Sequence, residues 1–231
     1  TILLDSSGSM VGAPMELAKA AVRGLAGRLR PGDRLSLVAS NRQAQVLLQG
    51  HTVGSNPAAE AAEVASILSR VRADDITDLN RGIAAAYETA LKGYDYRYLS
   101  RVVVISDGGA NAGELALQTI AKHAEDSDRQ GIYLAGIGVG EGFNDQLMDG
   151  FTDKGRGAYL FLDGEEELGR LLEERSFVAA FDVAVKNVRL KMVMPPGWRV
   201  VQFHGEQVSA RAADVVPQYL SSNDQMIYHL I

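Results

Sequence analysis

The chain of 231 residues contains no cysteine, and only 6% of its residues are aromatic. Without thiols the protein can form neither disulfides nor zinc sites with thiolate ligands. No apolar run approaches the roughly 20 residues that a membrane-spanning helix needs, so we predict no membrane span. The chain begins and ends inside predicted strands, at 2–4 and 226–231, so we expect a fragment of a longer protein. The lack of a visible signal peptide is then uninformative.

Positive charge is also scarce, since the net charge is −6 and no basic cluster stands out. Nucleic-acid binding needs concentrated positive charge, so we predict no nucleic-acid partner. Phosphate-binding loops and nucleophile elbows are absent, and the glycine-rich run 136–142 lacks the spacing of a dinucleotide site. With 46% hydrophobic residues, the chain has room for one α/β domain with a sizeable core and a smaller unit.

Apolar periodicity predicts that strands alternate with helices over most of the chain, as in a doubly wound α/β domain whose mostly parallel sheet is flanked by helices. The run 102–106 is apolar on both faces, as a central parallel strand requires. Asp163 and Glu166 resemble a capping box for the last helix. The predicted strands are 1–5, 35–39, 44–48 (at an edge), 102–106, 132–137 and 158–162, and the predicted helices are 14–29, 57–71, 77–91, 114–129, 143–153 and 165–175.

The pattern changes near residue 178, where strand-like alternation replaces the helix period. Apolar residues at 183–194 approach this alternation, Pro195-Pro196-Gly197 predicts a turn, and a further strand is expected from Trp198 to Phe203. We place a first domain at 1–176 and a β-rich segment at 177–231. The segment is too short for a complete β-sandwich, so we expect sequence outside this chain to complete it.

Oxygen-bearing side chains follow two predicted strands and begin one helix. Asp5, Ser7 and Ser9 come after the first strand, Thr77 opens a helical run, and Asp107 ends the apolar run 102–106. In a parallel α/β sheet, ligands bind outside the carboxyl ends of the strands, where these segments can converge. Hard divalent cations such as Mg²⁺ prefer oxygen donors and tend to keep open positions for water or an outside ligand. The pattern therefore indicates a metal site that a partner completes.

Each of these residues also has a simpler interpretation. In that interpretation Asp5 or Ser9 caps the following helix, Thr77 caps its own, and Asp107 is a turn residue before glycines. The two interpretations differ in whether the five side chains should lie close together. A metal site requires them to converge, whereas capping and turn roles do not. The four histidines show no spacing that indicates a metal site.

The constellation resembles the metal-ion-dependent adhesion site, or MIDAS, of the von Willebrand factor type A (VWA) domain family. That site consists of Asp-x-Ser-x-Ser, a Thr on a second loop and an Asp before a Gly on a third. The resemblance extends over roughly 1–176 and implies a Rossmann-like fold, and the β-rich segment is similar to modules that flank this domain in bacterial relatives and in inter-alpha-trypsin inhibitor heavy chains. The family's usual Gly before the Thr is replaced by Ile76, and the Thr before the third-loop Asp by Ser106.

By this resemblance the metal ligands are Asp5, Ser7, Ser9, Thr77 and Asp107, and the ion is Mg²⁺, with Mn²⁺ and Ca²⁺ as alternatives. It implies a non-enzymatic adhesion or scaffold module that captures an Asp or Glu carboxylate of a protein partner, in an exported or cell-surface location. The alternatives are a cytosolic adaptor of an AAA+ ATPase complex and, with less support, a metal-dependent hydrolase. The expected rim of the site is Met10, Val11, Gly12, Asp78, Asn80, Arg81 and the loop after Gly109.

Overall fold

The structure is a computed structural model that describes residues 1–74, 78–108, 132–140 and 159–173, and parts of 184–230. Thr77, Trp198 and the predicted helices 114–129 and 143–153 lie outside the described residues. Elements are numbered in chain order among the described residues.

Six strands form one sheet in the order β3-β2-β1-β4-β5-β6. The pairs are parallel except at the edge, where β3 runs antiparallel to β2. This architecture confirms the predicted mostly parallel α/β sheet. The strands are β1 Ile2–Asp5, β2 Arg34–Ser40, β3 Ala44–Thr52, β4 Ser100–Ser106, β5 Ile132–Val139 and β6 Tyr159–Leu162.

Two of the helices begin after residues whose side chains cap the first turn. The Asn56 side chain accepts hydrogen bonds from the first turn of α2, and Asp78 accepts one from the Arg81 N–H at the start of α3. Helix α1 begins after Gly12, whose φ of 92° lies in the left-handed region that glycine adopts without strain. The helices are α1 Ala13–Ala26, α2 Pro57–Leu68, α3 Leu79–Lys92 and α4 Glu165–Leu171.

Helices cover both faces of the sheet, so each central strand is buried on both faces. In β1, Ile2 and Leu4 belong to the core beneath α1, α2 and α4, whereas Leu3 belongs to the core beneath α3. The second core includes Tyr87 of α3, which is fully buried. Alternation along each strand sends successive side chains into opposite cores, which explains the nearly continuous apolar runs.

The strand order places a topological switch point between β1 and β4. The chain leaves β1 for β2 on one side, whereas β4 lies on the other side of β1 and is followed by β5 farther out. The connections that follow β1 and β4 therefore diverge and leave a crevice at the carboxyl ends of these strands. The crevice is where the predicted ligands at positions 5 and 107 lie.

One predicted helix start and one predicted capping motif are wrong. The third helix begins at Leu79 after Asp78, two residues later than predicted, so Thr77 is not its N-cap. Helix α4 has Gly164 as its N-cap with no side-chain capping bond, so Asp163 and Glu166 do not form a capping box. The start is one residue later than that motif requires, and glycine has no side chain with which to cap.

Beyond residue 183, the described strands form two antiparallel pairs. Strand β7 (Val185–Val188) pairs with β9 (Gln218–Leu220), and β8 (Phe203–His204) pairs with β10 (His229–Leu230). The strand predicted over 183–194 is shorter than expected, since 189–195 carries no regular structure. A β-sandwich and the boundary at 176 stay predictions. Among the helices of the described ranges, none is long and apolar enough to cross a membrane.

Candidate metal centre

Strand β1 delivers Asp5 to the carboxyl edge of the sheet, where its carboxylate is fully buried. One oxygen, Oδ1, accepts the Ser7 N–H at 2.9 Å, and the other, Oδ2, accepts the Ser106 hydroxyl at 2.6 Å. Burial raises the pKa of Asp5 above its ordinary value of 3.8, the hydrogen bonds from Ser106 and Ser7 oppose this, and the negative charge of Asp107 adds to it. The carboxylate is held in one orientation in surroundings that disfavour its charge.

A short 3-10 helix, Gly8–Met10, follows and sets the two serine hydroxyls side by side. The Oγ atoms of Ser7 and Ser9 are 3.0 Å apart, and the Ser9 hydroxyl donates to Asp107 Oδ1 at 3.1 Å. Ser9 is exposed, whereas Ser7 and Asp107 are buried. Four oxygen-bearing side chains thus meet at this edge of the sheet, and Ser9 is the one among them that is exposed to solvent.

This arrangement decides against the capping alternative for the first loop. Helix α1 has Gly12 as its N-cap, with no side-chain capping bond, so neither Asp5 nor Ser9 caps it. The Ser9 hydroxyl points instead to a residue 98 positions away in the chain. The structure brings four of the predicted residues together at this edge of the sheet, namely Asp5, Ser7, Ser9 and Asp107.

The fifth predicted ligand, Thr77, lies outside the described residues, but both flanks of its loop are described. The Asp74 N–H donates to the Ser6 carbonyl at 3.0 Å, and the Asp78 N–H donates to the Asn41 carbonyl at 2.9 Å. The Ser40 hydroxyl also donates to the Asp78 carbonyl at 3.3 Å. The loop that carries Thr77 is therefore attached at one flank to the loop after β1 and at the other to the end of β2.

The described residues of the predicted rim differ from the prediction in one place, and the loop after Gly109 lies outside the described residues. Met10 is fully buried in the core, so it does not belong to the rim. Val11, its neighbour, is 63% exposed, a high value for a large apolar side chain. Arg81 is exposed and forms an ion pair with Asp78, Nε to Oδ2 at 3.0 Å.

Ser106 is a residue of the site that sequence reasoning passed over. Its hydroxyl donates to Asp5 and accepts the Gly108 N–H at 3.0 Å, so it links β1 to the loop that carries Asp107. The sequence contained a signal, since Ser106 directly precedes an Asp-Gly-Gly turn at the end of a buried strand. Only the pairing of β4 with β1 shows that this hydroxyl reaches Asp5.

The profile of the von Willebrand factor type A domain matches residues 1–174. The chain belongs to this family. Among relatives of this VWA chain, the Synechocystis protein sll0103 is 26% identical over 199 residues, which cover 84% of the chain and 44% of that protein. Escherichia coli YfbK is 25% identical over 198 residues, covering 85% of the chain and 33% of YfbK. The chain thus spans less than half the length of either relative.

Solved VWA structures share the fold. A von Willebrand factor type A protein from Catenulispora acidiphila superposes with a TM-score of 0.64 at 19% identity, covering 80% of this chain and 43% of that one. Proximal thread matrix protein 1 of the mussel byssus, with a zinc-occupied MIDAS motif, gives 0.58 at 17% identity and covers 77% and 46%. Manganese-loaded Plasmodium vivax TRAP gives 0.55 at 20% identity and covers 74% and 70%.

Proposed function

We propose that this VWA chain is a divalent-metal-dependent protein-binding module whose metal is held by Asp5, Ser7, Ser9, Thr77 and Asp107. The observation that carries the proposal is the convergence of two carboxylates and two hydroxyls at the switch point between β1 and β4. Two structural neighbours, the zinc-occupied byssus protein and manganese-loaded TRAP, support a divalent ion at this position of the fold.

The spacing of the oxygens fits a small cation. Mg²⁺ binds oxygen at about 2.1 Å in octahedral geometry, so adjacent ligand atoms lie about 3.0 Å apart. The distances from Ser9 Oγ to Ser7 Oγ and to Asp107 Oδ1 are 3.0 and 3.1 Å. These distances are compatible with Mg²⁺, which is the first ion to test, followed by Mn²⁺ and Ca²⁺.

In this proposal Ser7 and Ser9 bind the metal directly through neutral hydroxyls, whereas Asp5, Thr77 and Asp107 bind it directly or through water. The cation also relieves the proximity of two buried carboxylates, whose mutual repulsion contributes to the raised pKa of Asp5. When bound, the metal supplies a Lewis-acidic position for a carboxylate of the partner. The exposed Val11 and Arg81 lie on the segments beside the site and would contact the partner residues around that carboxylate.

Binding is preferred to hydrolysis because both described carboxylates of the site are assigned to the metal, which leaves neither as a general base. His51, a candidate base by residue type, contacts Glu60 and not this site. The exported location and the lack of a nucleic-acid partner stay predictions, as does the adaptor alternative. Metal-dependent hydrolysis of a phosphate ester that is lost in Asp5→Ala would overturn the proposal.

The direct test is calorimetric titration of the metal-stripped full chain, first with Mg²⁺ and then with a short Asp-containing peptide. We expect one Mg²⁺ per chain, and peptide binding only when the metal is present. A peptide with Asn in place of Asp should not bind, because an amide is a weaker metal ligand than a carboxylate. Peptide binding that persists in EDTA would contradict the proposal.

The matched variants exchange serines for alanine inside and outside the site. Ser7→Ala/Ser9→Ala should lose Mg²⁺ and peptide binding. Ser66→Ala/Ser69→Ala, at the exposed C-terminal end of α2, should retain both. Equal loss in the two double variants would point to general destabilisation instead of a site at the first loop.

A separate prediction concerns Ser106, which positions Asp5. Ser106→Ala should weaken Mg²⁺ binding by about 10–100-fold, the usual cost of removing a partner that orients a metal ligand. Ser36→Ala is the matched control, because Ser36 is also buried and also accepts a glycine N–H, from Gly50 at 2.9 Å. Its Mg²⁺ affinity should equal that of the wild type. If calorimetry shows the same affinity loss in both variants, Ser106 has no specific role in orienting Asp5.

A further inference from the structure

A second group of metal-ligating side chains lies where edge strand β3 meets helix α2. His51 Nε2 is 2.7 Å from Glu60 Oε2 and 3.9 Å from Glu63 Oε2. One ligand atom from each of the three residues lies within 4.8 Å of the other two. The spacing of the histidines along the sequence gave no indication of this group, because the two carboxylates come from a different element.

Local structure brings the three side chains together. Glu60 and Glu63 are three residues apart on α2 and so share one face of the helix. The Gly54 N–H donates to Glu60 Oε1 at 2.8 Å, which leaves the other oxygen of that carboxylate directed at His51. These hydrogen bonds to Gly54 and His51 lower the pKa of Glu60, so this carboxylate carries its charge at neutral pH.

The group is remote from the site at the switch point. His51 pairs with Leu35 at the beginning of β2, whereas Ser40 at the end of β2 pairs with Asp5. Five residues of strand separate the two levels, or about 17 Å at 3.3–3.4 Å per residue. The two groups therefore lie at opposite ends of the sheet and cannot share one ion.

We propose that His51, Glu60 and Glu63 form a second metal site, which takes a borderline transition-metal ion of the Zn²⁺ type and clamps the edge strand to α2. One imidazole and two carboxylates are ligands that Zn²⁺ accepts, and three protein ligands leave its fourth position for water. Mg²⁺ uses imidazole poorly, so the two sites should differ in metal preference.

The distances from His51 to the two carboxylates would need only a small adjustment when Zn²⁺ binds. Zn²⁺ with bonds of about 2.0–2.2 Å in tetrahedral geometry separates its ligand atoms by about 3.4 Å. The two distances from His51 Nε2 lie on either side of this value. The Glu63 side chain is 51% exposed and can move inward, whereas Glu60 is 10% exposed and already held by Gly54. Both carboxylates lie within ion-pair distance of His51, so a protonated imidazole is the alternative to a metal, and Zn²⁺ titration distinguishes the two.

The test is Zn²⁺ titration of the full chain carrying Ser7→Ala/Ser9→Ala, with every further variant made in this background. The switch-point site is disabled in this way because Zn²⁺ occupies a MIDAS motif in the byssus protein, so added Mg²⁺ would not keep Zn²⁺ out of it. We expect one equivalent of Zn²⁺ to bind, and His51→Gln to abolish this binding. Glu63→Gln should weaken it by at least about tenfold, since loss of a direct ligand should cost no less than loss of a residue that only orients one. Glu88→Gln is the matched control, because Glu88 is also an exposed helix glutamate, paired with Lys92, and it should leave Zn²⁺ binding unchanged.

Cobalt provides a readout that does not depend on affinity. A site with one imidazole and two carboxylates at low coordination number should give intense visible bands with Co²⁺, and an octahedral all-oxygen site only weak ones. Intense bands lost in His51→Gln would support the proposal. Since Glu63 is half exposed, Glu63→Gln should fold even if His51→Gln does not. The proposal is wrong if Glu63→Gln leaves Zn²⁺ binding unchanged, or if the chain with Ser7→Ala/Ser9→Ala binds no Zn²⁺.

Discussion

Replacement of Asp5 by asparagine is expected to abolish Mg²⁺ binding while leaving the metal-free protein at least as stable as the wild type at pH 7. The metal-free wild type holds a fully buried carboxylate near a second one, that of Asp107. Asparagine keeps an oxygen that accepts the Ser7 N–H. In the wild type the Ser106 hydroxyl donates to Asp5, whereas in the variant the asparagine amide would donate to that hydroxyl. The cost of that reversed bond is about 1 kcal/mol, and the desolvated charge is removed.

The raised pKa of Asp5 adds a pH dependence with a definite sign. Because the folded, metal-free state holds this proton more tightly than the unfolded state, its free energy of unfolding should fall as the pH rises from 3.8 through the raised value. Metal competes with the same proton, so Mg²⁺ affinity should rise over that interval. Asp5→Asn should remove this contribution to the pH dependence of stability.

Two measurements on metal-free protein check this prediction: denaturant unfolding between pH 4 and 8, and calorimetry with Mg²⁺. Asp33→Asn is the control, since Asp33 also accepts a backbone N–H, from Arg30 at 2.7 Å, but is remote from the site. It should bind Mg²⁺ normally. If Asp5→Asn binds Mg²⁺ like the wild type, Asp5 is not a ligand. If it lowers stability by several kcal/mol, Asp5 is primarily a structural residue of the fold.

Gly82→Ala is expected to destabilise the protein by about 1–3 kcal/mol, the usual cost of overpacking a core. In an unconstrained helix the same change stabilises by about 0.5–1 kcal/mol. A Cβ at position 82 would lie 2.7 Å from Ser40 Oγ, 2.8 Å from Ser40 Cβ and 3.2 Å from Leu3 Cδ1. None of these atoms is the end of a long flexible side chain, so α3 must move away from the sheet.

The displacement should also reach the metal centre. Ser40 donates to the carbonyl of Asp78, which caps α3 and follows the loop that carries Thr77. We therefore expect Mg²⁺ affinity to fall in Gly82→Ala together with stability. The effect on affinity is smaller than in Asp5→Asn, because all five proposed ligands remain.

Urea unfolding and Mg²⁺ calorimetry test this second prediction. Gly169→Ala is the control, because Gly169 also lies within a helix but has open space around its Cα. That variant should be neutral or slightly more stable. Equal stability of the two variants would mean that α3 adjusts to the extra methyl group without cost.

Several features of the protein were readable from local sequence. The nearly continuous apolar runs around Leu3 and Val104 predict strands buried on both faces, and helices do cover both faces of the sheet. Asn56 before Pro57 marks the start of α2, because both residues favour a helix start. The Asp-x-Ser-x-Ser spacing predicted the first loop of the proposed metal site. Each of these signals depends on residues that are close together in the sequence, so it can be recognised without knowledge of the fold.

Other features depended on contacts between distant segments. The capping box predicted at Asp163 was wrong because the helix that begins at Glu165 has Gly164 as its N-cap, and glycine has no side chain with which to cap. Met10 was expected at the rim but lies in the core, since a short 3-10 helix turns it inward. The group around His51 was missed because strand and helix positions nine or more residues apart meet only in the folded protein.

By itself, the sequence determined the alternation of strands and helices, the family and the residue types offered to a metal, because strand periodicity, caps and loop motifs are local properties. Only the tertiary structure decided that β1 lies between β2 and β4, which brings Asp5, Ser9 and Asp107 together, and that Ser106 orients Asp5. It likewise decided that His51 meets Glu60. Strand order and helix packing follow from the burial of apolar surface contributed by the whole chain, so no single segment of the sequence can determine them.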